Sequence, residues 1–232
     1  MKMSITKGMI LAAGFGTRLL PLTQNSPKPL LEVKGKKLLQ YSIEFLLLNN
    51  IQEIIINTHY LHEQIQSFVS SNYPNIKISY EETILDTGGG ILNALPFFQG
   101  ENFLVLNSDT IWTDSYVKEL HKLINIFHQQ KRKAALLLAK QENSFDKNLL
   151  GDFNIDDNNL LNKKEKKYIF TGCQILSPLI FNNKNKIFSM NVIWDQLIQD
   201  NSLLGHVSEL PFLHATNLEI FHQLNKSTII DL

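Results

Sequence analysis

Short apolar runs alternate with amphipathic helical stretches between residues 9 and 139, and few folds accept that order. Residues 9–13, 53–57, 76–80, 103–106 and 134–139 have the length and the continuous or β-branched apolar content of buried strands. Between them, Leu39, Ile43, Leu46 and Leu47 share one helical face, as do Leu61, Ile65, Phe68 and Val69; residues 90–95 and 114–130 supply two more helices. Parallel strands need crossovers of about a dozen residues or more. The alternation therefore predicts an α/β fold, with a Rossmann-like, mostly parallel sheet flanked by helices. Ligands of such sheets collect at the carboxyl ends of the strands. Gly14, Asn57, His59 and Asp109 each fall just after a predicted strand, so four separate segments converge there.

Residues 11–30, at the first of those strand ends, read LAAGFGTRLLPLTQNSPKPL. Gly14 and Gly16 let the backbone come close to an anion, its N–H groups facing the ligand with no side chain between. Arg18 adds a forked, permanently charged donor, and Pro27 and Pro29 are expected to hold the backbone around Lys28 extended. Together they read as a grip for a triphosphate. Two commoner glycine motifs fail. No Gly-Lys-Ser/Thr closes a P-loop, and Leu19 stands where a dinucleotide fold needs its third glycine.

Lys plus Arg and Asp plus Glu number 22 each, so the formal charge is zero and no long-range field favours nucleic acid or an anionic membrane. The basic runs at 131–133 and 163–167 read as solvated helix-end and hairpin residues. The one cysteine, Cys173, has no intrachain partner and has apolar flanks, which suits a buried, inert thiol in a reducing compartment. No apolar stretch is long enough to span a bilayer, and the run from residue 9 meets Gly14 and Arg18 too soon for a signal peptide. The expectation is a cytoplasmic protein of 232 residues folded as a single domain, with a nucleotide-binding half over about 1–140 and a second portion over about 141–232. In that second portion, 151–155 and 168–176 look like antiparallel strands around an Asn- and Lys-rich turn, with a helix at 191–201.

The run from Leu11 to Arg18 with the following Pro-Lys-Pro-Leu, the segment Leu-Asp-Thr-Gly-Gly-Gly-Ile ending at Ile91, and Leu-Asn-Ser-Asp ending at Asp109 together resemble the signatures of the sugar-phosphate nucleotidyltransferases. The resemblance implies the nucleotide-diphospho-sugar transferase fold, with a small antiparallel sugar-binding portion. It implies attack by a sugar 1-phosphate oxygen on the α-phosphorus of a nucleoside triphosphate. By the same resemblance Arg18 holds the departing triphosphate tail, Lys28 bridges the attacking phosphate and the α-phosphate, and Asp109 holds Mg²⁺. Leu11, Ala12, Ala13, Gly14, Gly16, Thr17, Asn57, His59 and Gly88 would face the nucleotide. Asp86, Asn107, Gly151, Asp152, Thr171 and Gly172 would face the sugar phosphate.

The family's second metal carboxylate, in a Trp-x-Asp-x-Gly-Thr segment before a terminal helix, is missing here. Residues 210–219 read LPFLHATNLE, which puts His214 at the position of the Asp. Imidazole is a poor ligand for Mg²⁺ and an acceptable one for Mn²⁺. His214 is then either a ligand of such an ion or a structural histidine, with phosphates and water completing a site at Asp109. Glu209 and Glu219 lie near enough in sequence to offer a carboxylate instead.

Within the family, the compact length, residues 57–59 ahead of a helix, and the Gly151-Asp152-Phe153 and Phe170-Thr171-Gly172 elements resemble the short bacterial uridylyltransferases that act on N-acetylmuramic acid 1-phosphate in peptidoglycan recycling. Mannose 1-phosphate guanylyltransferases share most of these motifs, and choline-phosphate cytidylyltransferases share the fold. The expected partners are small molecules, UTP and a sugar 1-phosphate. A nucleotide or nucleotide-sugar sensor without turnover is the alternative of another class, and His214 is its support.

Overall fold

The computed structural model describes residues 5–181 and 185–229. Strand β1 (Lys7–Leu11) leads through the glycine loop to a short hairpin, β2 (Glu32–Val33) and β3 (Lys36–Lys37), and then to helix α1 (Leu38–Leu48). The expected alternation follows, as β4 (Glu53–Thr58), α2 (His62–Asn72), β5 (Lys77–Tyr80), α3 (Asp86–Phe98), β6 (Phe103–Asn107), α4 (Tyr116–Gln130) and β7 (Ala134–Lys140). Next come a second short hairpin, β8 (Asn154–Ile155) and β9 (Leu161–Asn162), then β10 (Tyr168–Leu176), α5 (Met190–Gln199), β11 (Leu203–Ser208) and α6 (Leu218–Lys226). Among the described residues no helix is long and apolar enough to cross a membrane.

Seven strands form one sheet in the order β11-β7-β10-β6-β1-β4-β5. The pairs β1/β4, β4/β5, β1/β6 and β7/β11 are parallel, and β10 runs against both its neighbours, β6 and β7. Both faces are covered, which is why the strands read as unbroken apolar runs. Leu104 and Leu106 of β6 join Ile43 of α1, Ile65 of α2 and Leu120 of α4; Phe103 and Val105 join Ile91 and Phe98 of α3 and Trp194 of α5. A third cluster packs Leu19 of the glycine loop and Val33 of β2 against Ile220, Phe221 and Leu224 of α6, so the last helix buttresses the loop.

The antiparallel strand expected at 168–176 is β10, and it enters the main sheet, while the β8–β9 and β2–β3 hairpins make two small sheets of their own. Strand β11 has no counterpart in the sequence reading. Helix α3 departs from expectation at its start: it begins at Asp86 rather than Gly90, with Gly88 and Gly89 already helical. Glycine costs a helix interior about 1 kcal/mol per residue, and a close backbone approach explains its use here. The N–H groups of Gly88 and Gly89 donate to the Phe188 carbonyl at 2.9 and 3.1 Å, and a Cβ at Gly89 would collide with the Lys186 carbonyl. The helix also runs past Pro96, to Phe98.

Candidate active site

The carboxyl ends of β1, β4 and β6 and the start of α3 enclose a cleft of about 360 Å³. Leu11, Ala12, Ala13 and Gly14 line it where β1 ends, followed by Gly16, Thr17 and Arg18. Lys28 enters from a later turn, and Asn57, Asp86, Asn107 and Asp109 close the other sides.

The two loop glycines differ. Gly16 has left-handed φ 65° and ψ 26°, and a Cβ there would stand 2.9 Å from Cβ of Lys28 and from Cγ2 of Thr23. A Cβ at Gly14 would meet no protein atom within 4 Å, so its missing side chain leaves open space at the cleft. Residues Thr17–Leu19 make one 3₁₀ turn that buries Leu19 and leaves Arg18 exposed.

The prolines do not keep Lys28 extended. Pro27 is extended (φ −66°, ψ 142°), but Lys28 opens a 3₁₀ turn through Leu30, because Pro29 fits an early helical position where its missing N–H loses no partner. That turn buries Lys28 to 8% exposure and brings Nζ to 2.6 Å from Oδ2 of Asp109.

Beyond β6 the chain pairs with the segment ahead of α6. Ile111 N–H donates to Leu213 O at 2.8 Å and Ala215 N–H to Asp109 O at 3.0 Å, with Thr110 and His214 forming an antiparallel bridge. The pairing sets His214 Nε2 3.0 Å from Asp109 Oδ2, and the imidazole stacks on Phe212 at 5.6 Å and 9°. Burial alone would raise the Asp109 carboxyl; His214 and Lys28 beside it outweigh burial and hold it well below the usual carboxylate range. Oδ1 of Asp109 and Nδ1 of His214 are buried without a hydrogen-bond partner among the described residues. Among the described residues no three His, Cys, Asp or Glu side chains group as a metal cluster. Glu209 pairs with Lys140 at 2.7 Å and Glu219 accepts from Gln223 at 3.1 Å, and neither lines the cleft.

Asn57 braces the end of β1. Ala12 N–H donates to its Oδ1 at 2.9 Å, its Nδ2 donates to Glu81 Oε1 at 2.7 Å, and Glu81 Oε2 accepts from Leu85 N–H at 3.0 Å. Glu81 is 2% exposed and also lines the cleft. The sequence reading passes over it, although it directly follows β5, the strand-end position that picked out Asp109 after β6. A Cβ at Gly90 would stand 2.7 Å from both Asn57 Nδ2 and Glu81 Oε1, so this glycine makes room for the bracing network.

Seven predicted residues lie off the cleft wall: His59, Gly88, Gly151, Asp152, Thr171, Gly172 and His214. His59 Nδ1 sits 2.8 Å from Glu81 O, edge-on to the half-exposed ring of Phe15. Gly88 is engaged by Phe188, as above. Asp152 Oδ2 accepts from Phe170 N–H at 2.8 Å, and burial raises its carboxyl. Gly151 packs against the Lys166 carbonyl, Thr171 Oγ1 donates to Leu137 O at 2.8 Å, and Gly172 lies against Asn107. Thr171 and Gly172 thus sit on β10, in the sheet beside the end of β6 that carries Asn107. Cys173 is buried and unpaired, its thiol pushed up by burial.

The sequence model of the Nucleotidyl transferase family matches residues 7–147. The chain is similar to an N-acetylmuramate alpha-1-phosphate uridylyltransferase of Caulobacter vibrioides, 28% identical over 218 residues that span 89% of this chain and 90% of that protein. It is also similar to a D-glycero-alpha-D-manno-heptose 1-phosphate guanylyltransferase of Aneurinibacillus thermoaerophilus, 31% identical over 219 residues, 89% of this chain and 91% of that one. Among solved structures, HddC from Yersinia pseudotuberculosis complexed with GMP-PN shares the fold, with a TM-score of 0.75 over 96% of this chain and 99% of its own at 24% identity.

Proposed function

The chain belongs to the nucleotidyl transferase family, and on that premise we propose that it transfers uridine monophosphate from UTP to N-acetylmuramic acid 1-phosphate, releasing pyrophosphate. The convergence of Arg18, Lys28 and Asp109, from three separate segments, on one cleft supports the nucleotidyl transfer, and the similarity to the N-acetylmuramate alpha-1-phosphate uridylyltransferase of Caulobacter vibrioides supports the substrates. In the reaction a phosphate oxygen of the sugar 1-phosphate bonds to the α-phosphorus, and the bond to the bridging oxygen breaks, pyrophosphate leaving with the electron pair. The attacking phosphate has a second pKa of about 6 and is largely dianionic near neutral pH, so the chain need not supply a base. Its task is to hold two polyanions in line and offset their charge.

In this reading Arg18, exposed at the cleft, holds the departing phosphates, and Lys28, on the same cleft, holds the α-phosphate and its attacker. Lys28 is held by Asp109 at 2.6 Å, and an incoming phosphate competes for that ammonium. Gly14, open on its side-chain face, admits phosphate oxygens close to the backbone. Asp109 fits a hard divalent cation, Mg²⁺ or Mn²⁺, because its Oδ1 is an anionic oxygen buried without a partner. Such an ion, when bound, supplies charge neutralisation between the phosphates of the two substrates.

The guanylyltransferase relative, at 31% identity, favours a second reading, guanylyl transfer to a heptose 1-phosphate. Pyrophosphate release with UTP and N-acetylmuramic acid 1-phosphate, set against GTP and D-glycero-α-D-manno-heptose 1-phosphate, each with Mg²⁺ and with Mn²⁺, separates the two. Turnover with the first pair is the expected result. Turnover with the second pair alone reassigns the substrates, and nucleotide binding with no turnover in any combination turns the reading to a sensor or to another sugar phosphate.

A further inference from the structure

We infer that His214 is a positioning residue for Asp109 and not a metal ligand: with Lys28 it fills Oδ2, leaving Oδ1 as the Asp109 oxygen open to the divalent ion, which binds with the nucleotide and not before it. This presupposes the role of Asp109 proposed above.

The imidazole has two nitrogens. Nε2 lies 3.0 Å from Asp109 Oδ2, and Nδ1, without a partner among the described residues, is buried in a side chain that does not line the cleft, whereas Asp109 does. An ion in the cleft reaches neither nitrogen unless the ring abandons Asp109. Two features keep it there. The backbone pairing of 109–111 with 213–215 fixes where His214 leaves the chain, and the near-parallel, offset stack on Phe212 fixes the ring plane.

The effect falls on the carboxylate. Oδ2 accepts from Lys28 at 2.6 Å and meets His214 at 3.0 Å, so rotating the group breaks both contacts at once. When a phosphate draws Lys28 away, His214 still holds Oδ2, and the carboxylate keeps its orientation as the ion arrives. Mg²⁺ is octahedral and is commonly held by one or two carboxylates together with substrate phosphates. With one carboxylate oxygen from Asp109 and no cluster of three His, Cys, Asp or Glu among the described residues, most of the coordination shell comes from phosphates and water, so the ion has little hold on the chain until the nucleotide is present. Groups that orient a ligand in this way typically alter metal affinity by about 10- to 100-fold when removed.

Mn²⁺ binding, followed by electron paramagnetic resonance and by calorimetry with and without the α,β-methylene analogues of UTP and GTP, tests this without turnover. Wild type should bind one Mn²⁺ in the nucleotide complex, and bind it at least about tenfold more weakly without nucleotide. His214→Phe, which keeps the ring stack and loses the nitrogen, should weaken that ion about tenfold or more while retaining nucleotide binding and a native melting curve. His214→Gln, which restores an N–H near Nε2, should return to within about threefold of wild type. If the Phe variant does not fold, His214→Leu against His214→Gln makes the same comparison. Loss of one of two bound ions in His214→Phe, unchanged Mn²⁺ affinity in that variant, or equally tight Mn²⁺ binding by the nucleotide-free wild type overturns the inference. Asp109→Asn serves as the separate control. If it binds Mn²⁺ as wild type does, the assignment of Asp109 fails rather than that of His214.

Discussion

Lys28, Gly14 and Gly16 sit in one loop region, and single substitutions pull their roles apart. Lys28→Ala removes a cation from the place where transition-state charge builds, so turnover should drop by about 10²–10³-fold while nucleotide binding persists; a change confined to KM in steady-state kinetics would assign Lys28 to ground-state binding instead. Gly16→Ala forces a side chain into a left-handed conformation beside Lys28 and Thr23, and should cost about 1–3 kcal/mol in urea unfolding. Gly14→Ala meets no protein atom and should stay within about 0.5 kcal/mol of wild type, yet lose turnover because the methyl enters space the phosphates need. Asp109 carries a pH signature. Its carboxyl is depressed in the folded chain by His214 and Lys28, so its stabilisation is fully present above the unfolded value of about 4 and is lost as pH falls through the folded value. Wild type should lose stability progressively below about pH 4, and Asp109→Asn, weaker at neutral pH, should lose less over the same range. Parallel curves for the two proteins in acid urea titrations would remove Lys28 and His214 as the source. Arg18, Lys28 and Asp109 were legible because each sits in a motif whose residue types state their chemistry. Glu81 was not, because a lone Glu after a strand looks like any surface carboxylate until the fold buries it against Asn57 and Leu85.

At the scale of elements, α3 departs furthest from its sequence. Three glycines in a row argue for a loop by propensity, and they form the opening of a helix because other chain segments pass within contact distance: Phe188 and Lys186 at Gly88 and Gly89, Asn57 and Glu81 at Gly90. Gly89→Ala should raise helix propensity and still destabilise the protein by about 1–3 kcal/mol, because the added methyl meets the Lys186 carbonyl. Hydrogen exchange should quicken first at the amides of Gly88 and Gly89 and at Met190, whose N–H donates to Thr87 Oγ1. Slower exchange there would mean that the segment yields and the helix gains. The strands behaved differently: β1, β4, β6 and β7 fall within two residues of their predicted limits, since burial on both faces writes an unbroken apolar run that needs no partner to be recognised.

At the scale of the whole molecule, the site depends on segments far apart in the chain. Helix α6 reaches the glycine loop through Leu224, Phe221 and Leu19. Leu224→Ala should cost about 2–5 kcal/mol and also loosen residues 17–19, which hydrogen exchange would register; a uniform loss of protection would mean that α6 supports the core but not the loop. The sequence by itself determined the alternation of strand and helix, the parallel character of the sheet, and the residue types at the strand ends, because periodicity, turn chemistry and side-chain charge are local properties. Only the tertiary structure decided that β10 enters the main sheet between β6 and β7, that Lys28 meets Asp109 across 81 positions, and that His214 shares the same carboxylate oxygen. Those pairings rest on backbone hydrogen bonds and packing between distant segments, which no local pattern encodes.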